Sequence, residues 1–163
     1  MKLFYTTLSA LIMLVVGCAP SNRPDGLPPL HSTTVTITQN GSPLAGVSVG
    51  LIPVEPSEWV VSGFTDTSGK ASIVTHGQFS GAPAGEYTVV LSKMENVFDG
   101  ERSPEGELLR GSGITEIFSL ISVDHTSTET SKFRMTVNKG NNAQTFEVGA
   151  PVRVHVSTIR PGE

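Results

Sequence analysis

From Ser32 onward the chain never sustains a helical period; short runs of alternating apolar and polar residues recur between clusters of Gly, Pro, Asn and Asp. A period of two places every second side chain on one sheet face, so such a chain buries a core only by pairing strands and stacking sheets. Val35 and Ile37 alternate with Thr34, Thr36 and Thr38, and Asn40-Gly41-Ser42-Pro43 then marks a turn. Val47, Val49 and Leu51 point one way in a second strand that Pro53 and Pro56 close, because proline cannot donate to a central ladder. Residues 59–64 read as a third strand, reversed at Asp66-Thr67-Ser68-Gly69 into residues 71–75. Tyr87, Val89 and Leu91 alternate in a strand that ends near Lys93. Residues 132–137, the turn Asn138-Lys139-Gly140-Asn141 and residues 144–148 follow, and a last alternating run carries Val152, Val154 and Val156. Seven or eight strands at this spacing predict an all-β domain of two packed antiparallel sheets over residues 32–159.

Between Met94 and Leu120 the alternation lapses into acidic residues and glycines, which reads as a long insertion at about 94–120. Asp99-Gly100-Glu101 and Pro104-Glu105-Gly106 are turn signals within it.

The N-terminus has a different logic. Met1-Lys2 gives a brief positive start, and residues 3–16 form an apolar run too short and too soon followed by prolines for a membrane span. The run ends in Val15-Val16-Gly17-Cys18, which resembles the bacterial lipobox; the resemblance implies cleavage between Gly17 and Cys18 and acylation of Cys18 with fatty acids such as palmitate. Cys18 is the one cysteine of the 163 residues, so no internal disulfide can form, and acylation explains a lone exported cysteine. Each buried acyl methylene contributes about 0.8 kcal/mol, so two or more chains hold a protein stably at a bilayer. Ala19 rather than Asp follows the cysteine, which in lipoproteins of two-membrane bacteria implies the outer membrane. The expected organisation is therefore a signal peptide over 1–17 and a lipidated, proline-rich tether over 18–31. Thirteen tether residues at about 3.1 Å each would hold the domain up to roughly 40 Å from the lipid.

Three ordered motifs carry a second resemblance: residues 40–47 (Asn-Gly-Ser-Pro-Leu-Ala-Gly-Val), 65–70 (Thr-Asp-Thr-Ser-Gly-Lys) and 83–89 (Pro-Ala-Gly-Glu-Tyr-Thr-Val). In that order they resemble the carboxypeptidase regulatory-like domain, a transthyretin-like (prealbumin-like) sandwich often found as the sole domain of bacterial lipoproteins. The stretch Asp124-His125-Thr126-Ser127-Thr128-Glu129-Thr130-Ser131, followed by a strand, a Lys-Gly-Asn turn and a final strand, is similar to a segment of those lipoproteins. The resemblance implies Greek-key topology and no catalytic residues; the run after Ala150 extends past the usual end of such domains.

Searching for chemistry yields few residues. His31, His76, His125 and His155 are scattered without metal-ligand spacing, the acidic insertion lacks the residue order of a calcium loop, and Gly111-Ser112-Gly113 reads as a flexible loop. The expectation is a non-enzymatic protein with no catalytic residues, no metal and no cofactor. Its net charge of −4 provides no basic face for nucleic acid. Trp59, the one tryptophan, is a candidate sugar-stacking platform, but its apolar neighbours Val60 and Val61 favour a place in the core. The expected role is an interaction or structural module at the cell envelope, partnered by the membrane through Cys18 and by an envelope protein; a carbohydrate- or peptide-binding module is the alternative.

Overall fold

The computed structural model describes residues 23–99, 104–106 and 113–159. The threonine-rich run at 33–39 is the strand β1 (Thr33–Gln39), whose β-branched residues suit a pleated surface and whose Val35 and Ile37 point inward without solvent exposure. β2 (Ser48–Pro53), β3 (Val61–Phe64), β4 (Lys70–Ser72) and β5 (Val74–Thr75) follow. β6 (Gly85–Ser92) is the longest strand, continued after Lys93 by β7 (Met94–Asp99) and β8 (Ile114–Ser119). β9 (Arg134–Val137), β10 (Asn142–Glu147) and β11 (Val154–Ile159) follow.

The architecture is all-β. A six-stranded antiparallel sheet runs β9-β6-β2-β3-β5 and ends on the short Phe79–Ser80 strand. It packs on a second sheet in which β1 lies between β10 on one side and β4 with Ser42–Pro43 on the other. Val35 and Ile37 of β1 join Val49 and Leu51 of β2, Val89 and Leu91 of β6, and Ile73, Ile121, Val137 and Phe146 in one buried cluster. Each such side chain contributes about 1.5–3 kcal/mol by leaving water, and this cluster is what holds the two sheets together.

Two turns legible in the sequence join different sheets. Asp66 caps the reversal at 66–70: its Oδ1 accepts from Ser68 N at 2.8 Å, Ser68 Oγ at 2.7 Å and Lys70 N at 3.1 Å. The chain thereby passes from β3 in the large sheet to β4 in the other, then returns at Ile73 to pair β5 beside β3. Gly69 sits at φ +73° with a Cβ position only 2.6 Å from the Ile37 carbonyl oxygen, so no side chain fits this corner. The turn at 138–141 is likewise a crossover, from β9 to β10, and β10 pairs with β1 in parallel. That parallel pair departs from the expected wholly antiparallel sheets; a crossover, unlike a hairpin, leaves strand direction free.

The described part of the insertion is built of strands. β7 and β8 form an antiparallel hairpin, and β11 adds to β8, giving a third sheet whose strands pair only with one another. The final alternating run thus forms a strand outside the two sandwich sheets. Val152, expected to alternate with Val154 and Val156, precedes that strand.

The proline-rich segment is shorter as a free tether than the sequence suggests. Leu27 is 8% exposed, its N–H donates to the Pro24 carbonyl, and Arg23 Nη2 donates to the carbonyls of Leu27 at 3.2 Å and Pro28 at 2.6 Å. Leu30–His31 pairs with Ala82–Pro83. Residues 23–31 therefore belong to the folded body: Leu27 is buried and the backbone of Leu30 pairs with Pro83, neither of which composition alone reveals.

Candidate functional site

Cys18 and Gly17, the proposed lipidation and cleavage residues, lie outside the described residues, as does the apolar run before them. No helix among the described residues is long and apolar enough to cross a membrane.

Trp59 is not in the core. Pro53 ends β2 and the loop through Pro56 delays the next strand until Val61, so Trp59 and Val60 precede the ladder instead of alternating within it. The indole is half-buried on the surface, edge-on to His76 with ring centroids 6.2 Å apart, and its backbone N–H donates to Ser57 Oγ at 3.2 Å. It borders an open groove of about 270 Å³ with Gly50, Ile52, Pro53 and Ser62. Gly50 faces the neighbouring Val90, whose Cγ2 lies 2.8 Å from where a Cβ would stand.

Two exposed apolar side chains, Ile52 (41%) and Val60 (64%), line the Trp59 groove, and Val54 (56%) is exposed beside Glu86 and Arg134 in a separate groove. All three belong to the end of the large sheet where β2 stops, β3 begins and β6 begins. A neighbouring depression of about 240 Å³ at the same end is walled by Pro28, Pro53, Ser57, Pro83 and Glu86. Sequence reading missed this clustering because it is made by strand ends that meet only in the sheet. Phe64, also exposed, lies toward the other end of the sheet, opposite Ser48.

A second apolar surface is the third sheet. Its registers put Met94, Phe98, Ile117, Val154 and Ile159 on one face, with Asn96, Thr115, Ser119 and Ser157 between them and no charge. The opposite face carries Glu95, Glu116, Phe118 and His155. There Arg153 Cζ stands 3.5 Å from the Phe118 ring centroid, and its Nε contacts Glu95 Oε2 at 2.8 Å, holding the start of β11 against β7 and β8. The pair is half-exposed, so its ionic part contributes less than about 1 kcal/mol; the stacked guanidinium adds a comparable amount.

The histidines stay apart. His125 stacks on Phe133 at 4.7 Å, which in turn meets Phe146 at 5.0 Å, so His125 serves as the outer layer of an aromatic ladder into the core. His155 packs edge-on to Phe118, and His31 Nδ1 accepts from Gly140 N at 3.3 Å. Among the described residues no group of three or more His, Cys, Asp or Glu side chains could hold a metal ion.

Tyr87 is buried and its hydroxyl donates to the Pro83 carbonyl at 2.8 Å; burial raises its phenol above the ordinary value. Glu147 bridges β10 and the 40–41 turn, accepting from Gly41 N, Thr38 Oγ1 and Asn40 N, and these donors hold its carboxyl below the ordinary range. Both are structural ties. No protein-family model, no curated protein and no solved structure matches this chain.

Proposed function

We propose that this chain is a bacterial lipoprotein, acylated at Cys18 and acting without chemistry of its own as an interaction or structural module at the cell envelope. One observation carries the reading. A chain whose lone cysteine closes an export-like apolar run goes on to fold into a sandwich that leaves Met94, Phe98, Val154 and Ile159 exposed on the uncharged face of its third sheet. Contiguous exposed apolar surface on a soluble domain marks contact with a partner. The order of the three turn motifs supports a transthyretin-like domain of the carboxypeptidase regulatory-like kind, and Ala19 supports the outer membrane.

The test is fractionation of the full chain expressed in a bacterial host. The wild-type protein is expected with the membranes and released only by detergent, whereas Cys18→Ala is expected in the soluble periplasmic fraction. Identical fractionation of both would refute the anchor. A photo-cross-linker placed at Phe98 is expected to trap an envelope protein; the same placement at Thr67, on the charged turn, is the control.

A glycan or extended peptide in the Trp59 groove is the second reading, favoured by the half-buried indole above Gly50. It requires Trp59 fluorescence to respond to a sugar in free solution, with no membrane present.

A further inference from the structure

Resting on the anchor reading, we propose that the Trp59 end of the sandwich lies against the lipid headgroups, presenting Trp59, Val60, Ile52 and Val54 to a neutral, zwitterionic bilayer. The third sheet is then carried on the side away from the membrane.

Two independent observations meet here. The first is chain length: Arg23 bonds the carbonyls of Leu27 and Pro28 in a segment held to the folded body by buried Leu27 and by the Leu30–His31 pairing, and only five residue steps separate it from Cys18. Fully extended, they reach about 18 Å, so whatever surrounds Arg23 is kept close to the bilayer. Pro28 shares its depression with Pro53, Ser57, Pro83 and Glu86, which places the anchored segment at the end where β2 stops and β6 starts. The second is composition. That end leaves Ile52, Val54 and Val60 exposed, the first and last beside a half-buried tryptophan, the residue that prefers the boundary between hydrocarbon and water.

Charge selects the lipid. Asp25, Glu55, Glu58 and Glu86 stand exposed at this end against Arg23, Arg134 and Lys139, which leaves a small negative excess that an anionic surface repels and a zwitterionic one does not. Distance excludes the third sheet from the same role. β6 runs eight residues away from the anchored end, about 27 Å, before β7 begins.

The experiment uses the full acylated protein reconstituted into phosphatidylcholine vesicles whose chains carry bromine near the headgroups, a short-range quencher of indole. Trp59 is expected to lose fluorescence and shift to shorter wavelength. A Trp59→Phe/Phe98→Trp variant, checked for native far-ultraviolet dichroism, moves the reporter to the third sheet and is expected to keep its intensity. Replacing half the lipid with phosphatidylserine is expected to weaken the quenching of Trp59.

Equal quenching of both reporters, stronger quenching on the anionic vesicles, or a Trp59 response to soluble glycans without lipid would overturn the proposal. Flotation and intact mass separate the two layers of the argument. Protein that is unacylated and does not float defeats the anchor reading, whereas protein that floats and leaves Trp59 unquenched defeats the orientation alone.

Discussion

Alanine at Gly69 and at Gly77 should have very different costs, although both glycines hold nearly the same backbone conformation, at φ +73° and +71°. An L side chain in the left-handed region costs about 1–2 kcal/mol, and that penalty applies to both. Gly77 has open space where the new Cβ would stand, so Gly77→Ala is expected to stop there. At Gly69 the Cβ would lie 2.6 Å from Ile37 O, 3.0 Å from Leu44 N and 3.1 Å from Pro43 Cα, all main-chain atoms with nowhere to go. The corner has to swing out, and with it goes the bond from Ile37 N to Gly69 O at 2.8 Å; the bond from Leu44 N to Ile37 O at 2.9 Å is also strained. Breaking one buried backbone bond and stranding its partners adds about 1–3 kcal/mol. Gly69→Ala is thus expected to destabilise by about 2–5 kcal/mol in total. Urea unfolding followed by Trp59 fluorescence reads the difference. With a slope of about 1–3 kcal/mol per molar, the Gly69→Ala midpoint should fall roughly 1 M below that of Gly77→Ala. Coincident midpoints would refute the claim that this turn is a close-packed crossover between sheets.

Leu27→Ala should lower stability by about 2 kcal/mol in the same assay, because the side chain is nearly fully buried; a free tether would show no change. Tyr5 falls within the expected signal peptide, so Tyr87 is the one tyrosine of the mature chain, and its absorbance titration should have a midpoint above 10.0. Burial favours the neutral phenol, so that contribution to stability is complete below pH 10.0 and is lost as pH rises through the folded value. Tyr87→Phe, which removes the bond to Pro83, should cost about 1 kcal/mol at neutral pH. Glu147 works in the opposite direction: its depressed carboxyl stabilises the fold above pH 4.5, and that stability is lost as pH falls through the folded value, so Glu147→Gln should flatten the acid limb of the unfolding curve.

Much of the sandwich is legible before any coordinates. The Thr-Val-Thr-Ile alternation of β1 buries Val35 and Ile37 as a period of two requires, and Val49, Leu51, Val89 and Leu91 behave alike. Local signals fail where partners are decided at a distance. Asp66 and Gly69 announce a reversal but not that the next strand lies in another sheet, because turn chemistry fixes geometry over four residues only. Met94–Asp99 and Ile114–Ser119 read as an irregular insertion because both faces of their sheet are substantially open to water, which erases the apolar alternation that burial imposes. Trp59 misleads for a related reason. Three consecutive apolar residues look like a core strand, yet the strand begins at Val61 and the first two stay outside. The surface they form with Ile52 exists only once β2 and β3 are paired.

The anchor is tested most directly by the mass of the mature N-terminal peptide taken from bacterial membranes. The account predicts a peptide that begins at Cys18 and carries the added mass of two or three fatty acyl chains. A mature chain that begins anywhere else, or an unmodified thiol at position 18, would contradict it.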